Sequence, residues 1–581
     1  MEAPQLYPVI KLLSKSRWQY KQGTWKQTVQ SSYLCIEDYE GKGAYKVMRT
    51  LISSLLKILL FYISMAAPDP IQETFLQCLS THSLTSTPIS EVTYFPSNPN
   101  YLSVLNSYIR NLVFTSPTTP KPLFIVAPTH VSHIQASIIC SKIHGLEVRI
   151  RSGGHDYDGL SYVSTVPFIM VDLFSMRSVS VDIEDESAWV ESGATLGEVY
   201  YRISEKSKLY GYPAGVCPTV GVGGHLSGGG YGNLMRKHGL SVDNILDAVL
   251  VDANGNVLDR EAMGEDLFWA IRGGGGASFG IIVSWKIKLV QVPEVVTVFR
   301  VERTLEEGAS DIVYQWQHVA DKIDEDLFIR VVLNPVTRKG QVTIKAKFNA
   351  LFLGNAQRLV SLMDDQFPEL GLLSKDCKEM SWIESVLFWS NYQIGTSTDV
   401  LLERHSTKEK YLKRKSDYVQ EPISKTDLEG IWEKMIQLRK PVLTFNPYGG
   451  KMGEVSELDT PFPHRAGNIY KIQYAASWKE EGVEAVDHNL DLIRKLYDYM
   501  TPFVSNSPRC SYLNYRDIDL GINEIANTSY EQASGWGTKY FKGNFDRLVQ
   551  VKTTVDPENF FRYEQSIPSL EAASWKNRMA E

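Results

Sequence analysis

Apolar residues in this chain come in short runs whose period changes at glycines and prolines. Leu123-Phe124-Ile125-Val126 reads as a buried strand; apolar positions then repeat at helical spacing from Thr129 through Ala136 to Ile143, and Glu147-Val148-Arg149-Ile150 returns to a strand. Further strands are predicted at residues 168–171, 187–190, 245–251 and 280–289, with a helix over 196–204. Gly-rich turns and only one or two helices separate them, which predicts an α+β arrangement rather than a doubly wound sheet.

Beyond Pro293 the chain becomes richer in Lys, Glu and alternating strands, and a domain boundary is expected there. Residues 294–505 then form an antiparallel sheet covered by helices over 310–323, 356–367 and 483–500, while residues 506–570 return to the first domain, 68–293, and residues 571–581 are a tail. No internal repeat, heptad run or low-complexity tract is present. The charged cluster from Lys408 to Lys415 reads as a solvated helix or loop.

At 581 residues and 43% hydrophobic, the chain exceeds one usual core and predicts two or more subdomains. A net charge of −7 and a pI near 6.0 give no footprint for nucleic acid, and no polybasic segment marks a lipid surface. A small molecule is the expected partner. Residues 51–67 are apolar apart from Lys57 and a few hydroxyls, follow Lys46 and Arg49, and end in Ser64-Met65-Ala66-Ala67. This reads as a secretory signal over residues 48–67, with a core too short to span a membrane. Residues 1–47 are then a doubtful extension, and Met48 the better start. Secretion permits disulfides, and Asn527-Thr528-Ser529 is an N-glycosylation sequon that predicts a surface loop.

Two glycine-rich segments carry the chemistry. Arg151-Ser152-Gly153-Gly154-His155-Asp156-Tyr157 and the run from Gly215 to Gly232, GVCPTVGVGGHLSGGGYG, each surround one nucleophilic side chain, His155 and Cys217. Glycines bring peptide N–H groups close to an anion, and these two side chains can bond a cofactor covalently. Either run alone is equally compatible with tight turns. Neither matches the Walker lysine pattern or the Rossmann fingerprint, so the pair points to a different dinucleotide cradle, a flavin held at two points.

With Tyr448-Gly449-Gly450-Lys451-Met452, Pro461-Phe462-Pro463-His464-Arg465-Ala466-Gly467, Asn514-Tyr515-Arg516-Asp517-Ile518-Asp519-Leu520-Gly521 and Val555-Asp556-Pro557-Glu558-Asn559-Phe560-Phe561, the loops resemble the plant berberine bridge enzyme-like FAD-linked oxidases, of the vanillyl alcohol oxidase and p-cresol methylhydroxylase flavoprotein superfamily. The resemblance covers residues 69–570. It implies a two-lobed FAD-binding domain, an antiparallel-sheet substrate domain and a C-terminal segment returning to the FAD domain. It also implies bicovalent FAD, with His155 on the 8α-methyl carbon and Cys217 on C6, which raises the flavin's potential. Arg151, Ser152, Gly153, Gly154, Asp156, Ser161, Val220, Gly221, Gly224, His225, Gly228, Ile281 and Asn514 are the further cofactor contacts expected from it. Cys78 and Cys140 occupy the family's disulfide positions. Cys377 and Cys510 are left open as paired, buried or exposed.

Tyr470-Lys471-Ile472-Gln473-Tyr474 alternates as a strand and sends Lys471 and Gln473 to one face. In the resembling enzymes these two, with Tyr231, Tyr515 and Asn446, form a site that oxidises alcohols; some alkaloid- and cannabinoid-forming relatives carry a glutamate in this strand. Tyr515 is read as the base, its pKa lowered from about 10 by the Lys471 cation. Tyr231 shares the proton, and Gln473 and Asn446 orient the network or the substrate hydroxyl. Val220 matches a gatekeeper whose valine form is associated with oxygen access. The expected activity is oxidation of a carbohydrate hemiacetal or a monolignol-type allylic alcohol with O2 as acceptor, giving H2O2, by a secreted monomer of the cell wall or vacuole without membrane anchor or metal. No H-E-x-x-H, paired C-x-x-C or G-x-S-x-G pattern argues for another chemistry. The alternatives are an alkaloid oxidase forming a carbon bond, against which Lys471 counts, and a catalytically silent flavin-bearing defence protein.

Overall fold

In the computed structural model, residues 12–21, 24–32, 53–54, 70–404, 410–524 and 529–570 are described. Of the signal segment at 48–67 only residues 53 and 54 fall within these, while Met48, Asn527 and the 571–581 tail lie outside them. The chain divides into two units, residues 1–73 and 74–581. In the first, Leu12–Lys21 and Thr24–Ser32 pair antiparallel as a hairpin, with a register shift between Ser14 and Arg17.

The second unit holds three large sheets. A four-stranded sheet runs in the order Thr93–Tyr94, Phe124–Val126, Phe168–Asp172, Glu147–Arg151. Both Phe124–Val126 and Glu147–Arg151 lie parallel to Phe168–Asp172, so the helix Val131–His144 between them is a crossover connection. Gly145, at φ 66°, ends that helix in the left-handed conformation, which a side chain would resist. The Cys78–Cys140 disulfide implied by the resemblance is present, and Cys377 and Cys510 are buried free thiols. The second sheet is antiparallel, ordered Val257–Leu258, Ile245–Val251, Ile281–Lys288, Ser187–Glu191, Val179–Asp182. The chain leaves it at Lys288 and enters the third at Val296.

This third sheet has seven antiparallel strands in the order Cys377–Met380, Val296–Thr304, Gln341–Phe352, Leu327–Arg338, Val442–Pro447, Tyr470–Trp478, Tyr411–Val419. Helices Ala309–Val319, Lys425–Leu438 and Val483–Tyr499 bury one face, where Trp316, Phe445, Tyr470, Ile472 and Tyr474 share a core. Strand periodicity sends Lys471 and Gln473 to the other face. The final segment places Phe560 and Phe561 in the core of the four-stranded sheet, beside Phe124 and Ile134.

The solvated reading of residues 408–415 is corrected. Residues 405–409 lie outside the described residues, but Tyr411–Val419 is the edge strand of the large sheet, with Lys413 4% and Lys415 2% exposed. Alternation turns both lysines inward, where Asp158, Asp517 and Asp519 from distant segments neutralise them. A like-charge run in sequence does not reveal partners of that kind.

Candidate active site

The two glycine loops form opposite walls of one cleft because their backbones touch. A Cβ on Gly153 would stand 2.3 Å from the Gly221 nitrogen, and one on Gly228 would stand 2.1 Å from Asn514 Oδ1, so neither position tolerates a side chain. This contact brings His155 and Cys217 to the same cleft, together with Ser152, Gly154, Asp156, Ser161, Val220, Gly224, His225, Asn514, Tyr231 and Tyr515. Cys217 is exposed to it. Val220 closes the turn that presents the thiol, its N–H donating to the Cys217 carbonyl at 3.2 Å.

Two expected cofactor contacts are corrected. Arg151 does not line the cleft; its guanidinium turns into the protein, 2.6 Å from Asp172, and donates to the Val104 and Leu105 carbonyls. Ile281 is fully buried in the core of the four-stranded sheet, and strand alternation brings its neighbour Ile282 to the cleft instead.

The donor set fits a flavin dinucleotide. Among the described residues, no carbonyl or side chain accepts the N–H groups of Gly153, Gly154, His155 and Asp156, a run of peptide donors suited to an anion or to carbonyl oxygens of a ligand. His155 Nε2 lies 3.0 Å from Thr219 Oγ1, and burial, helped by the Arg110 charge, lowers its pKa to about 3, which keeps the imidazole neutral and nucleophilic. Although its surface opens on the cleft, the enclosing walls desolvate the Cys217 thiol and push its pKa up, while Arg330 and Arg414 pull it down. Burial also holds His225 neutral, near a pKa of about 3, and its Nε2 accepts from the Gly215 N–H at 3.1 Å. Asn514 Nδ2 donates to the His225 carbonyl at 2.8 Å and to Tyr512 Oη at 3.0 Å.

At one end of the cleft the hydroxyls of Tyr231 and Tyr515 form a short hydrogen bond. Lys471 Nζ sits over the rings of Tyr231, Tyr512 and Tyr515, at 3.2, 3.8 and 4.7 Å from their centroids. Lys471 lies fully buried and its Nζ has no hydrogen-bond partner among the described residues. With aromatic faces around it and no carboxylate, burial drives its pKa well below the lysine range, and the Arg330 charge adds to this. Burial therefore works against Lys471 as the cation expected beside the phenols. Burial raises the pKa of both Tyr231 and Tyr515, and the cation that opposes it at both is Arg330.

Arg330 also changes the reading of Asn446, whose Oδ1 accepts from Arg330 Nε at 2.7 Å and so aims the guanidinium rather than a substrate hydroxyl. Gln473 Nε2 donates to Tyr157 Oη at 3.1 Å, and the Tyr157 ring lies 5.8 Å from that of Tyr515 and 5.8 Å from the Arg414 guanidinium carbon. Arg330, Arg414, Tyr157 and Tyr512 were not singled out from the sequence. A signal for Arg330 existed: it is the single charge in the otherwise apolar strand stretch 327–333.

Comparison with known proteins agrees with the geometry. A family model described as "FAD binding domain" matches residues 122–260, and one described as "Berberine and berberine like" matches residues 511–568. The chain is 55% identical to "Berberine bridge enzyme-like 8" of Arabidopsis thaliana over 529 residues, covering 90% of this chain and 100% of that relative. It is 53% identical to tetrahydroberberine oxidase of Berberis wilsoniae over 525 residues, 89% of this chain and 97% of the relative. Among solved structures, that of Phl p 4 as wild type, described as a glucose dehydrogenase, superposes with a TM-score of 0.81 at 46% identity, covering 86% and 100% of the two chains. Its isoleucine-to-valine variant, described as a glucose oxidase, superposes equally well, with the same TM-score of 0.81. Cradle, disulfide, sheet order and likeness along nearly the whole of residues 74–570 have one explanation: the chain belongs to the plant berberine bridge enzyme-like family of FAD-linked oxidoreductases.

Proposed function

We propose that the protein is a secreted oxidase that takes hydride from an alcohol carbon, of a carbohydrate hemiacetal or a monolignol-type allylic alcohol, and uses O2 as acceptor. The observation that carries this reading is the Tyr231–Tyr515 hydroxyl pair at the end of the cleft lined by His155 and Cys217. His155 and Cys217 would hold FAD covalently, and the open peptide donors of residues 153–156 would bind its polar groups. FAD held there would supply the hydride acceptor and the route for electrons to dioxygen, with hydrogen peroxide as the product.

The chain's own part is proton management. Tyr515 takes the substrate hydroxyl proton as hydride leaves the carbon, and Tyr231 shares the charge through the short bond. Burial makes an isolated phenolate costly here, and Arg330, aimed by Asn446, offsets that cost. Gln473 and Tyr157 set the hydroxyl's direction from the opposite side. Val220, in the wall beside Cys217, leaves room for oxygen. Valine at this wall suits an oxidase, as the family resemblance implies for the gatekeeper position, and in Phl p 4 an isoleucine-to-valine variant is described as a glucose oxidase. The disulfide suits an oxidising compartment.

The 53% identity to tetrahydroberberine oxidase favours a second reading, an alkaloid oxidase. A peroxide assay with glucose, cellobiose, coniferyl alcohol and tetrahydroberberine separates the two. Turnover of a sugar or coniferyl alcohol supports the first, turnover of the alkaloid alone supports the second, and peroxide from none of them overturns both in favour of a silent flavoprotein.

A further inference from the structure

Lys413 takes no part in the chemistry above, yet it lies where three distant segments meet. Its Nζ stands 3.0 and 2.8 Å from the two carboxylate oxygens of Asp158 and 2.8 Å from Asp517 Oδ1. Each carboxylate adjoins a tyrosine of the site, since Asp158 follows Tyr157 and Asp517 lies two residues beyond Tyr515. Main-chain bonds tighten the same junction. The Ile518 N–H donates to Asp158 Oδ2 at 2.9 Å, and Asn111 Nδ2 donates to the carbonyls of Tyr157 and Leu412, at 2.8 and 3.1 Å. The loop bearing Tyr157 and the turn bearing Tyr515 are thus tied to each other and to the strand Tyr411–Val419.

We propose that Lys413 is a positioning residue, whose ammonium bridges Asp158 and Asp517 and so fixes the distance between Tyr157 and Tyr515 at which a substrate hydroxyl meets its base. This rests on the reading that Tyr515 works in the reaction. Two buried carboxylates facing one point repel, and a cation between them turns the repulsion into a clasp. Neutralisation alone does not explain the arrangement. Lys415 already meets Asp517 at 2.6 Å and Asp519 at 2.7 Å, and Arg494 closes Asp519, but among the described residues only Lys413 contacts both Asp158 and Asp517. The other groups facing the cluster are the Tyr497 ring under Lys415, Tyr540 Oη accepting from the Asp517 N–H, Asp156 accepting from the Asp158 N–H, and the more distant charge of Lys539.

The test uses the holoenzyme, wild type against Lys413→Met and Lys413→Arg, at about pH 5 and about pH 8, because burial raises the Asp158 carboxyl and Lys413 is the charge that opposes this. Flavin reduction by glucose, or by coniferyl alcohol if glucose is not oxidised, is followed by stopped flow. Hydrogen exchange is read on peptides covering residues 155–160 and 511–521, which needs no substrate. Lys413→Met is expected to slow reduction about 10-fold at the higher pH with KM little changed, because misplacing a reacting group costs rate rather than affinity. At the lower pH Asp158, raised by burial and left without its cation, takes up a proton that it can donate across the gap, which returns the rate to within about 3-fold of wild type. Lys413→Arg keeps the charge and spans both carboxylates, so it stays within about 3-fold at both pH values. Exchange rises in those two peptides and not elsewhere.

If Lys413→Met yields no folded holoenzyme, Asp158→Asn replaces it and is expected to reduce about 10-fold more slowly at both pH values, since it breaks the clasp without leaving a titrating pair. Wild-type reduction in the variant used overturns the proposal, as does an exchange increase spread over the whole molecule or, for Lys413→Met, a loss equal at both pH values. Tyr515→Phe keeps the two ideas apart. Unimpaired reduction there refutes the functional reading, whereas slow Tyr515→Phe beside normal Lys413→Met refutes only this inference.

Discussion

The hydroxyls of Tyr231 and Tyr515 share one short hydrogen bond across 284 residues of sequence. One comes from the end of the second glycine loop and the other from the turn Leu513–Tyr515, and both rings lie under the Nζ of Lys471 from a third segment. If Tyr515 is the base, a hydrogen-bonded partner phenol lets the charge be divided between two oxygens.

Tyr515→Phe is therefore expected to lower the rate of flavin reduction about 100-fold, with the cofactor still attached. Tyr231→Phe should give a similar loss, and the double variant little more than either, because the pair acts as a unit. Single-turnover stopped flow measures this, and additive losses would count against a shared proton.

The sign of the pH dependence follows from the same pair. Burial raises both phenols above the ordinary tyrosine value, with Arg330 opposing, so the deprotonated form is scarce at neutral pH. Reduction should rise with pH from neutrality upwards. Arg330→Met removes the opposing charge and moves the rise to higher pH, and a pH profile of the reduction rate that does not shift removes Arg330 from this role.

Attachment at two points predicts a particular pattern under acid denaturation. His155→Ala and Cys217→Ala each keep the flavin in the precipitate through the remaining bond, and the double variant releases it to the supernatant. Absorbance of the two fractions decides, and flavin in the wild-type supernatant would refute covalent attachment.

Val220→Ile narrows the wall beside Cys217 and should slow reoxidation of the reduced enzyme by O2 about 10-fold, as expected for a steric block of a small-molecule path. Mixing anaerobically reduced protein with oxygenated buffer measures it.

Acid should loosen the junction of the C-terminal segment. Burial would raise Asp519, but Arg494, Lys413 and Lys415 together hold its carboxyl well below the usual range. A carboxylate with a depressed folded-state pKa contributes stability that is present above its unfolded value of about 3.9 and is lost as pH falls through the folded one. Melting temperature below about pH 4 should fall less steeply in Asp519→Asn than in wild type, because the variant starts without that contribution.

Sequence periodicity was sufficient for Lys471 and Gln473, since a strand repeats every two residues and both side chains stay on one face whatever the rest of the chain does. The resemblance placed Ile281 at the cofactor, and periodicity could not have chosen between it and Ile282, because both faces of that strand are apolar and Ile282 is the one at the cleft. Arg151 was likewise expected at the cofactor from the resemblance, and the buried Asp172 that claims it comes from a parallel strand that local sequence does not reveal. Asn446 was read as orienting the network or the substrate hydroxyl, and in the structure it holds Arg330, from the strand Leu327–Arg338, a charge the sequence did not single out.

The glycine loops, the nucleophilic side chains of His155 and Cys217 and the strand bearing Lys471 were legible in the sequence itself, because each depends on neighbours within a few residues or on a motif of fixed spacing, and the cysteine pair was legible only through the family resemblance. Which cation serves the phenols, which lysines are buried, and how Tyr157 and Tyr515 come to face each other were decided only by the tertiary structure. Those properties depend on charges brought within 3 Å from segments more than a hundred residues apart, as Asp158 and Lys413 are, 255 residues apart and 2.8 Å between atoms. Electrostatics acts through space and burial, and a linear pattern carries neither.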